Sequence, residues 1–174
     1  TESTVSEMRI PGSITRSDVF NQLRFMHREL SAGAADGTVW MSYLVKWTKD
    51  NGGKGHSADV GVGTQGHQDD SDLKLHTKAL TVNEDNRFAV GYSDGDYEAA
   101  KTSNQSGKVY LVIARWTKVG DKGEAKLWLF DSADAVNKVL GSTDEAKLDE
   151  ASADTATRGA SGTASFEAGE FLKI

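Results

Sequence analysis

The chain has 174 residues and a formal net charge of −6, with 20 Lys and Arg against 26 Asp and Glu. This length suits one domain, and we expect residues 1–174 to share a single core. The sequence has no basic block of the kind that binds nucleic acid or an anionic membrane surface. It has no cysteine, which excludes disulfides and thiolate metal sites. No apolar run reaches the ~20 residues that span a bilayer.

The first quarter of the chain holds an ambiguous segment and then a clear strand. Across residues 17–30 the apolar side chains follow helical spacing, but they also alternate near the end, so helix is only slightly favoured. Residues 39–47 alternate, with β-branched and aromatic side chains, and predict a strand with apolar residues on both faces. We expect loops at residues 50–55 and at the glycine-rich residues 61–66.

Two more strands are predicted in the middle of the chain. One starts at Leu73 and ends near residue 82, because alternate positions are apolar. The next covers residues 88–92. We expect turns at residues 83–86 and 93–96, where Asp, Asn, Ser and Gly cluster, and a polar connector from residue 98 to residue 107.

The clearest pattern is a pair of apolar runs around a glycine-containing link. In the first run, residues 109–116, both faces are apolar, so we expect a strand that is covered on both sides. Residues 120–123 supply the turn and residues 125–130 the second strand, which together predict an antiparallel hairpin. We expect Trp116 and Trp128 to pack in the core.

After residue 130 the chain becomes rich in Ala, Asp, Ser and Thr. Residues 133–140 predict a short helix, and we expect a surface loop from there to residue 162. Apolar residues return in 163–174, which predict a last strand. Several short strands with turn signals between them indicate an all-β antiparallel sandwich or jelly roll with one or two short helices.

Three stretches in this order carry a family resemblance: GTVWMSYLVKW, NRFAVGYSDG and VYLVIARWTKVGDKGEAKLWLF. They resemble the "tvWlSfLv" strand, the "flvGlsdG" strand and the "yLlVariD…d.vsLwv" hairpin of laminin-G-like domains. These are concanavalin-A-like lectin–glucanase jelly rolls of exported bacterial surface proteins. The resemblance covers roughly residues 37–174 and shifts the interpretation of residues 17–30 toward an irregular strand. The sequence departs from the family pattern in two places. Family members usually begin with a further strand and end with an acidic strand. EFLKI is either a variant of that final strand or its first part.

The resemblance implies an extracellular or cell-surface module. We expect a carbohydrate-binding domain, with a glycan as partner. The alternative is a structural subunit of a surface layer or fibre, whose partner is a neighbouring surface protein or a second copy of the chain. In that case the terminal apolar strand, around residues 171–174, could pair with a neighbouring subunit; pairing of the termini within one sheet of the chain itself is the somewhat favoured alternative. No signal peptide is present, and an exported protein loses it on processing.

Catalytic signatures are absent from the sequence. GVGTQG at residues 61–66 matches the dinucleotide-binding spacing, but the acidic HQDDSD that follows is a poor start for the required helix. Glu145, Asp149 and Glu150 come closest to a glycosidase carboxylate pair, but they lie in the Ala-rich segment, where a solvated surface is expected. The four histidines show no metal spacing, and we expect them to be exposed or hydrogen-bonded. We therefore predict no catalytic residue and no enzyme activity.

Calcium is the one metal that the sequence suggests. Asp85, Asp94 and Asp96 lie in neighbouring turns, calcium prefers several loop oxygens, and laminin-G-like folds often hold one at a loop rim. No full calcium-loop motif is present, so ordinary turn chemistry of Asp is the favoured explanation of these positions.

Sugar binding requires an exposed aromatic ring near polar loop residues. Trp40, Tyr92 and Tyr97 are the predicted ligand-binding residues, with Trp47 as a further candidate, although core packing accounts for most aromatic residues in such a fold. Asn104 begins a glycosylation sequon, which matters only in a host that glycosylates.

Overall fold

The structure is a computed structural model of the chain. It describes residues 27–29, 37–46, 57–63, 73–80, 87–93, 96–119, 122–159 and 171–173.

The described residues form ten strands and two helices. In chain order they are β1 His27–Glu29, β2 Val39–Lys46, β3 Ser57–Gly63, β4 Leu73–Leu80, β5 Arg87–Ser93, β6 Asp96–Ala99, β7 Val109–Val119, β8 Lys122–Phe130, α1 Ala133–Val139, α2 Glu145–Ala151, β9 Asp154–Gly159 and β10 Phe171–Lys173.

The strands make two sheets in which every pairing is antiparallel. One sheet has six strands in the order β1-β10-β3-β4-β5-β6, and the other has four in the order β2-β7-β8-β9. The predicted all-β class with one or two short helices is confirmed, and the jelly-roll topology stays a prediction. The strands predicted at residues 39–47, 88–92, 109–116 and 125–130 correspond to β2, β5, β7 and β8.

The central hairpin has the predicted arrangement and a tighter link than expected. β7 and β8 pair from Leu111 with Phe130 to Val119 with Lys122. Lys122 and Gly123 were expected in the turn and instead belong to β8. Because the two strands stay in register to Val119, the link is shortened to the two residues that follow it.

Side chains from both sheets share one hydrophobic core. The four-stranded sheet contributes alternate residues of β7 and β8, among them Val112, Trp116 and Leu127, and the six-stranded sheet contributes Phe88 and Val90. Two hydrogen bonds join the sheets across this core. The Trp116 indole N–H donates to the Gly91 carbonyl oxygen at 2.9 Å, and the Tyr43 and Thr77 hydroxyl oxygens lie 2.7 Å apart.

The other face of the four-stranded sheet is covered by the two helices. Val139 of α1 and Leu148 of α2 are buried against a cluster that includes Leu111, Ile113 and Trp128. This covering explains why β7 is apolar on both faces, as expected from its sequence. Each helix begins at a capping side chain: Ser132 accepts a hydrogen bond from the Ala135 N–H, and Asp144 accepts from the Ala146 and Lys147 N–H groups.

Several expectations for loops and connectors are wrong. Residues 61–63 belong to strand β3, and residues 98–99 belong to β6. The segment after residue 140 holds helix α2 and strand β9 rather than one surface loop. Each of these elements buries a single apolar residue, Leu148 in α2 and Ala156 in β9, so hydrophobic periodicity gave little signal.

The last strand lies inside a sheet rather than at its edge. β10 pairs with β1 on one side and with β3 on the other. Residues 171–173 therefore pair with strands of their own chain, which is the alternative to strand exchange with a neighbouring subunit. At residues 17–30, the structure describes only the final part, which is strand β1; the expectation for residues 17–26 lies outside the described residues.

Candidate functional site

The aromatic residues predicted to bind sugar are dispersed in the structure. Trp40 lies on the helix-covered face of the four-stranded sheet and is partly buried; its ring stacks on Trp128 with centroids 5.7 Å apart and planes 13° apart. Tyr92 belongs to the core between the sheets. It is 5% exposed, so it does not offer the open ring face that sugar stacking requires, and burial raises the pKa of its hydroxyl to about 12. Tyr97 is partly buried on β6, and Trp47 lies outside the described residues.

The predicted calcium ligands are described only in part. Asp96 begins β6, and its Oδ1 accepts a hydrogen bond from Arg158 Nε of β9 at 2.7 Å. Asp85 and Asp94 lie outside the described residues. In the part of the chain that the structure describes, no group of three or more His, Asp or Glu side chains is arranged to hold a metal ion.

The histidines were expected to be exposed or hydrogen-bonded. Of these, His76 is buried on β4.

The carboxylates closest to a glycosidase pair help to attach helix α2 to the sheet. Glu145 forms an ion pair with Arg115 of β7, and Asp149 forms one with Lys126 of β8 at 2.7 Å. Asp149 also accepts a hydrogen bond from the Trp128 indole N–H at 2.7 Å. Lys126 and, to a smaller extent, Trp128 lower the pKa of Asp149, against the opposing effect of its partial burial. A carboxylate held ionised by a cation is unsuited to donate a proton, so this network is a packing contact.

A small pocket lies where the connector between β6 and β7 meets the ends of β8 and β9. Its volume is about 60 Å³. Its apolar lining residues, which we call its floor, are Tyr110, Leu129 and Ala153. The polar residues that line it, which we call its walls, are Thr102, Ser103, Asn104, Gln105, Lys108, Asp131 and Asp154.

Charged groups at the pocket are held in place by short polar contacts. Lys108 Nζ lies 2.6 Å from Asp131 Oδ2, and this hydrogen bond raises the pKa of Lys108. Asp154 accepts backbone N–H groups on both carboxylate oxygens, from Thr102 at 2.5 Å and from Thr155 at 2.8 Å. Burial acts to raise the pKa of Asp154, but its hydrogen bonds, led by those from Thr102, outweigh burial and the net shift is downward. The Asp154 carboxylate is therefore ionised near neutral pH.

Asn104 is the unusual member of the pocket wall. It is 8% exposed, and none of the hydrogen bonds among the described residues involves its side chain. The neighbouring backbone is held independently, because the Gln105 N–H donates to the Tyr110 hydroxyl at 2.8 Å and the Lys108 N–H donates to the Gln105 carbonyl at 3.2 Å. The amide atoms of Asn104 are not among the buried polar atoms that lack a partner, so the carboxamide reaches the open space of the pocket, where it can bond water or a ligand.

No family model, curated protein or solved structure matches this chain. The laminin-G-like resemblance therefore rests on the sequence stretches alone. Among the described residues, no helix is both long enough and apolar enough to cross a membrane.

Sequence reasoning missed the pocket because its walls come from separate segments. Thr102 and Asp154 are 52 residues apart in the chain, and Lys108 and Asp131 are 23 apart. The one available signal was the polar composition of residues 98–107, which predicted a connector and not a site. The sequence marked Asn104 only as the first residue of a glycosylation sequon. Its burial makes it a poor acceptor for a bulky surface glycan.

Proposed function

We propose that the chain is a non-catalytic, extracellular carbohydrate-binding module with a laminin-G-like jelly-roll fold, and that its sugar site is the pocket lined by residues 102–105, 108, 110, 129, 131, 153 and 154. The observation that carries this proposal is Asn104, which is 8% exposed, lines the pocket and makes no side-chain hydrogen bond among the described residues. Its carboxamide can therefore donate to and accept from a ligand hydroxyl or amide in the pocket.

The composition of the pocket supports a sugar over other small ligands. Sugars present apolar C–H faces and many hydroxyl groups, so their sites combine an apolar surface with a few placed donors and acceptors. Here Tyr110 and Leu129 supply the apolar floor. Asn104 supplies both a donor and an acceptor, Lys108 a donor, and Asp154 an acceptor.

The charge states in the pocket support binding without catalysis. Glycoside hydrolysis requires one carboxylic acid with a raised pKa to protonate the leaving oxygen. The pKa of Asp154 is instead lowered, and Asp131 is hydrogen-bonded to the Lys108 ammonium. The Asp154 carboxylate is therefore not prepared to donate a proton near neutral pH.

A glycan panel tests this proposal directly. The full chain is titrated against neutral and acidic oligosaccharides, together with Asn104→Leu and, as a matched control, Asn137→Leu on the exposed side of α1. We expect saturable binding to a neutral glycan, weakened by Asn104→Leu and unchanged by Asn137→Leu. Binding that is lost in Trp40→Ala and retained in Asn104→Leu would move the site to the helix-covered sheet face. No binding to any glycan would overturn the proposal.

A structural subunit is the second candidate function, and one observation favours it. Leu44 on β2 is 67% exposed and Val109 on β7 is 50% exposed. Leu44 pairs with Leu111 and Val109 with Lys46, so the two exposed residues are diagonal neighbours on one face of the sheet. Adjacent exposed apolar residues favour a protein contact. Light scattering of the purified chain distinguishes the two functions: an assembly that Leu44→Lys dissolves supports a subunit, and a monomer at all concentrations contradicts it.

Calcium binding by Asp85, Asp94 and Asp96 belongs to the same proposal as a separate hypothesis. Arg158 already contacts Asp96, so the ion must compete with a guanidinium for that carboxylate. A melting temperature that rises with calcium and falls with chelator supports the site, because a ligand of the folded state stabilises it. An unchanged melting temperature contradicts it.

A further inference from the structure

We infer that the pocket selects the acetamido group of an N-acetylated sugar. This inference rests on the proposed function, since it names the sugar class that the same pocket takes. It starts from size: a water molecule needs about 10–15 Å³ of such a cavity, so the 60 Å³ pocket holds a few waters. That space is too small for a sugar ring and suits one substituent of a ring that rests on the rim.

Among common sugar substituents, an acetamido group matches Asn104 most completely. A carboxamide carries both donors and an acceptor, and a second amide can pair with it through two hydrogen bonds. A single hydroxyl cannot make the same paired donor and acceptor contacts with the carboxamide. The acetamido group also has a methyl group, which the Tyr110 ring and Leu129 can accept on the apolar floor.

The charges around the pocket disfavour acidic sugars. Asp131 and Asp154 bring two carboxylates, and Lys108 brings one ammonium group that is already bonded to Asp131. A sugar carboxylate would therefore meet an excess of negative charge and no unpaired cation among the pocket residues. This excludes uronic acids and leaves the neutral acetamido group as the better fit.

The test compares matched pairs of small sugars on the full chain. Methyl N-acetylglucosaminide is titrated against methyl glucoside, and methyl N-acetylgalactosaminide against methyl galactoside. We expect the acetamido member of at least one pair to bind about tenfold more tightly, since it adds a second hydrogen bond to the Asn104 carboxamide and a methyl group against the apolar lining. In saturation-transfer spectra of that complex, the acetyl methyl protons should show the strongest transfer, because they lie against Tyr110 and Leu129.

Two variants separate ligand recognition from a structural role of Asn104. Asn104→Leu keeps the side-chain volume and removes the amide, so the acetamido sugar should bind no better than its parent. The same variant should match or exceed the wild type in thermal stability, because the amide has no partner within the described residues. Asn137→Leu should change neither property.

The outcomes distinguish this inference from the function on which it rests. Equal binding of the acetamido and hydroxyl sugars overturns the inference and leaves carbohydrate binding intact. Absence of binding by every sugar overturns both. An Asn104→Leu variant that folds poorly, while Asn137→Leu folds normally, would show that Asn104 is structural and would also overturn the inference.

Discussion

The Trp128 indole N–H donates a hydrogen bond to Asp149 Oδ1 at 2.7 Å and so joins the C-terminal part of strand β8 to helix α2. Trp128 is completely buried, while Asp149 lies at the exposed edge of the helix. The same carboxylate pairs with Lys126, whose ammonium group lies 4.9 Å from the centroid of the Trp128 ring. One half-exposed aspartate therefore neutralises a cation and satisfies a buried donor.

Asp149→Ala is expected to destabilise the protein by about 1 kcal/mol, because the buried Trp128 N–H loses its acceptor. Urea unfolding followed by tryptophan fluorescence measures the loss. Glu150→Ala is the matched control: its side chain is exposed, and it forms no hydrogen bond or ion pair among the described residues. Equal stability of the two variants would mean that water replaces Asp149 at no cost.

Acid should weaken the attachment of α2. The pKa of Asp149 lies below its ordinary value of 3.8, because Lys126 and Trp128 stabilise the carboxylate. Its contribution to stability is therefore fully present above the unfolded value and is lost as the pH falls through the native pKa. The difference in unfolding free energy between the wild type and Asp149→Asn should be constant above about pH 5 and should shrink below about pH 4. A difference that is independent of pH would contradict this assignment.

Gly91→Ala should be strongly destabilising. A Cβ at this position of β5 would overlap the Asp96 carbonyl oxygen and would lie 2.9 Å from the Tyr97 Cα, so the backbone of β6 must move. We expect a cost of at least about 2 kcal/mol. Gly159→Ala is the control, since a Cβ there meets nothing within 4 Å, and its effect should stay within about 0.5 kcal/mol. Thermal melts of both variants measure the contrast, and similar melting temperatures would contradict it.

The Tyr43–Thr77 contact should couple the two sheets. The hydroxyl oxygens are 2.7 Å apart, and Thr77 also donates to the Val60 carbonyl at 3.2 Å. Burial, opposed by the Thr77 hydrogen bond and aided by the charge of Asp59, raises the pKa of Tyr43, so its hydroxyl keeps its proton. A double-mutant cycle with Tyr43→Phe and Thr77→Val should give a coupling energy of about 0.5–1.5 kcal/mol. Additive effects of the two changes would show that the hydroxyls do not interact.

The local pattern of residues 109–130 was sufficient to predict the central hairpin and the burial of Trp116 and Trp128. Alternation with a period of two follows directly from strand geometry, and apolar residues on both faces of β7 require a layer on each side. The short helix α1 was also predictable, because its apolar residues and capping Ser132 lie within one local segment. Helix α2 and strand β9 were not, since their contribution to the core is limited to residues such as Leu148 and Ala156.

Only the tertiary structure determines which polar residues lie next to each other. Asp154 receives the Thr102 N–H across 52 residues of chain, and Lys108 reaches Asp131 across 23, so no local pattern marks the pocket. The same applies to Tyr92, whose aromatic character suggested a binding ring and whose position on β5 placed it in the core. The periodicity of single segments determined the strands, because it depends on neighbouring residues. The pocket depends on how the ends of those strands come together, which is a property of the packed sheets.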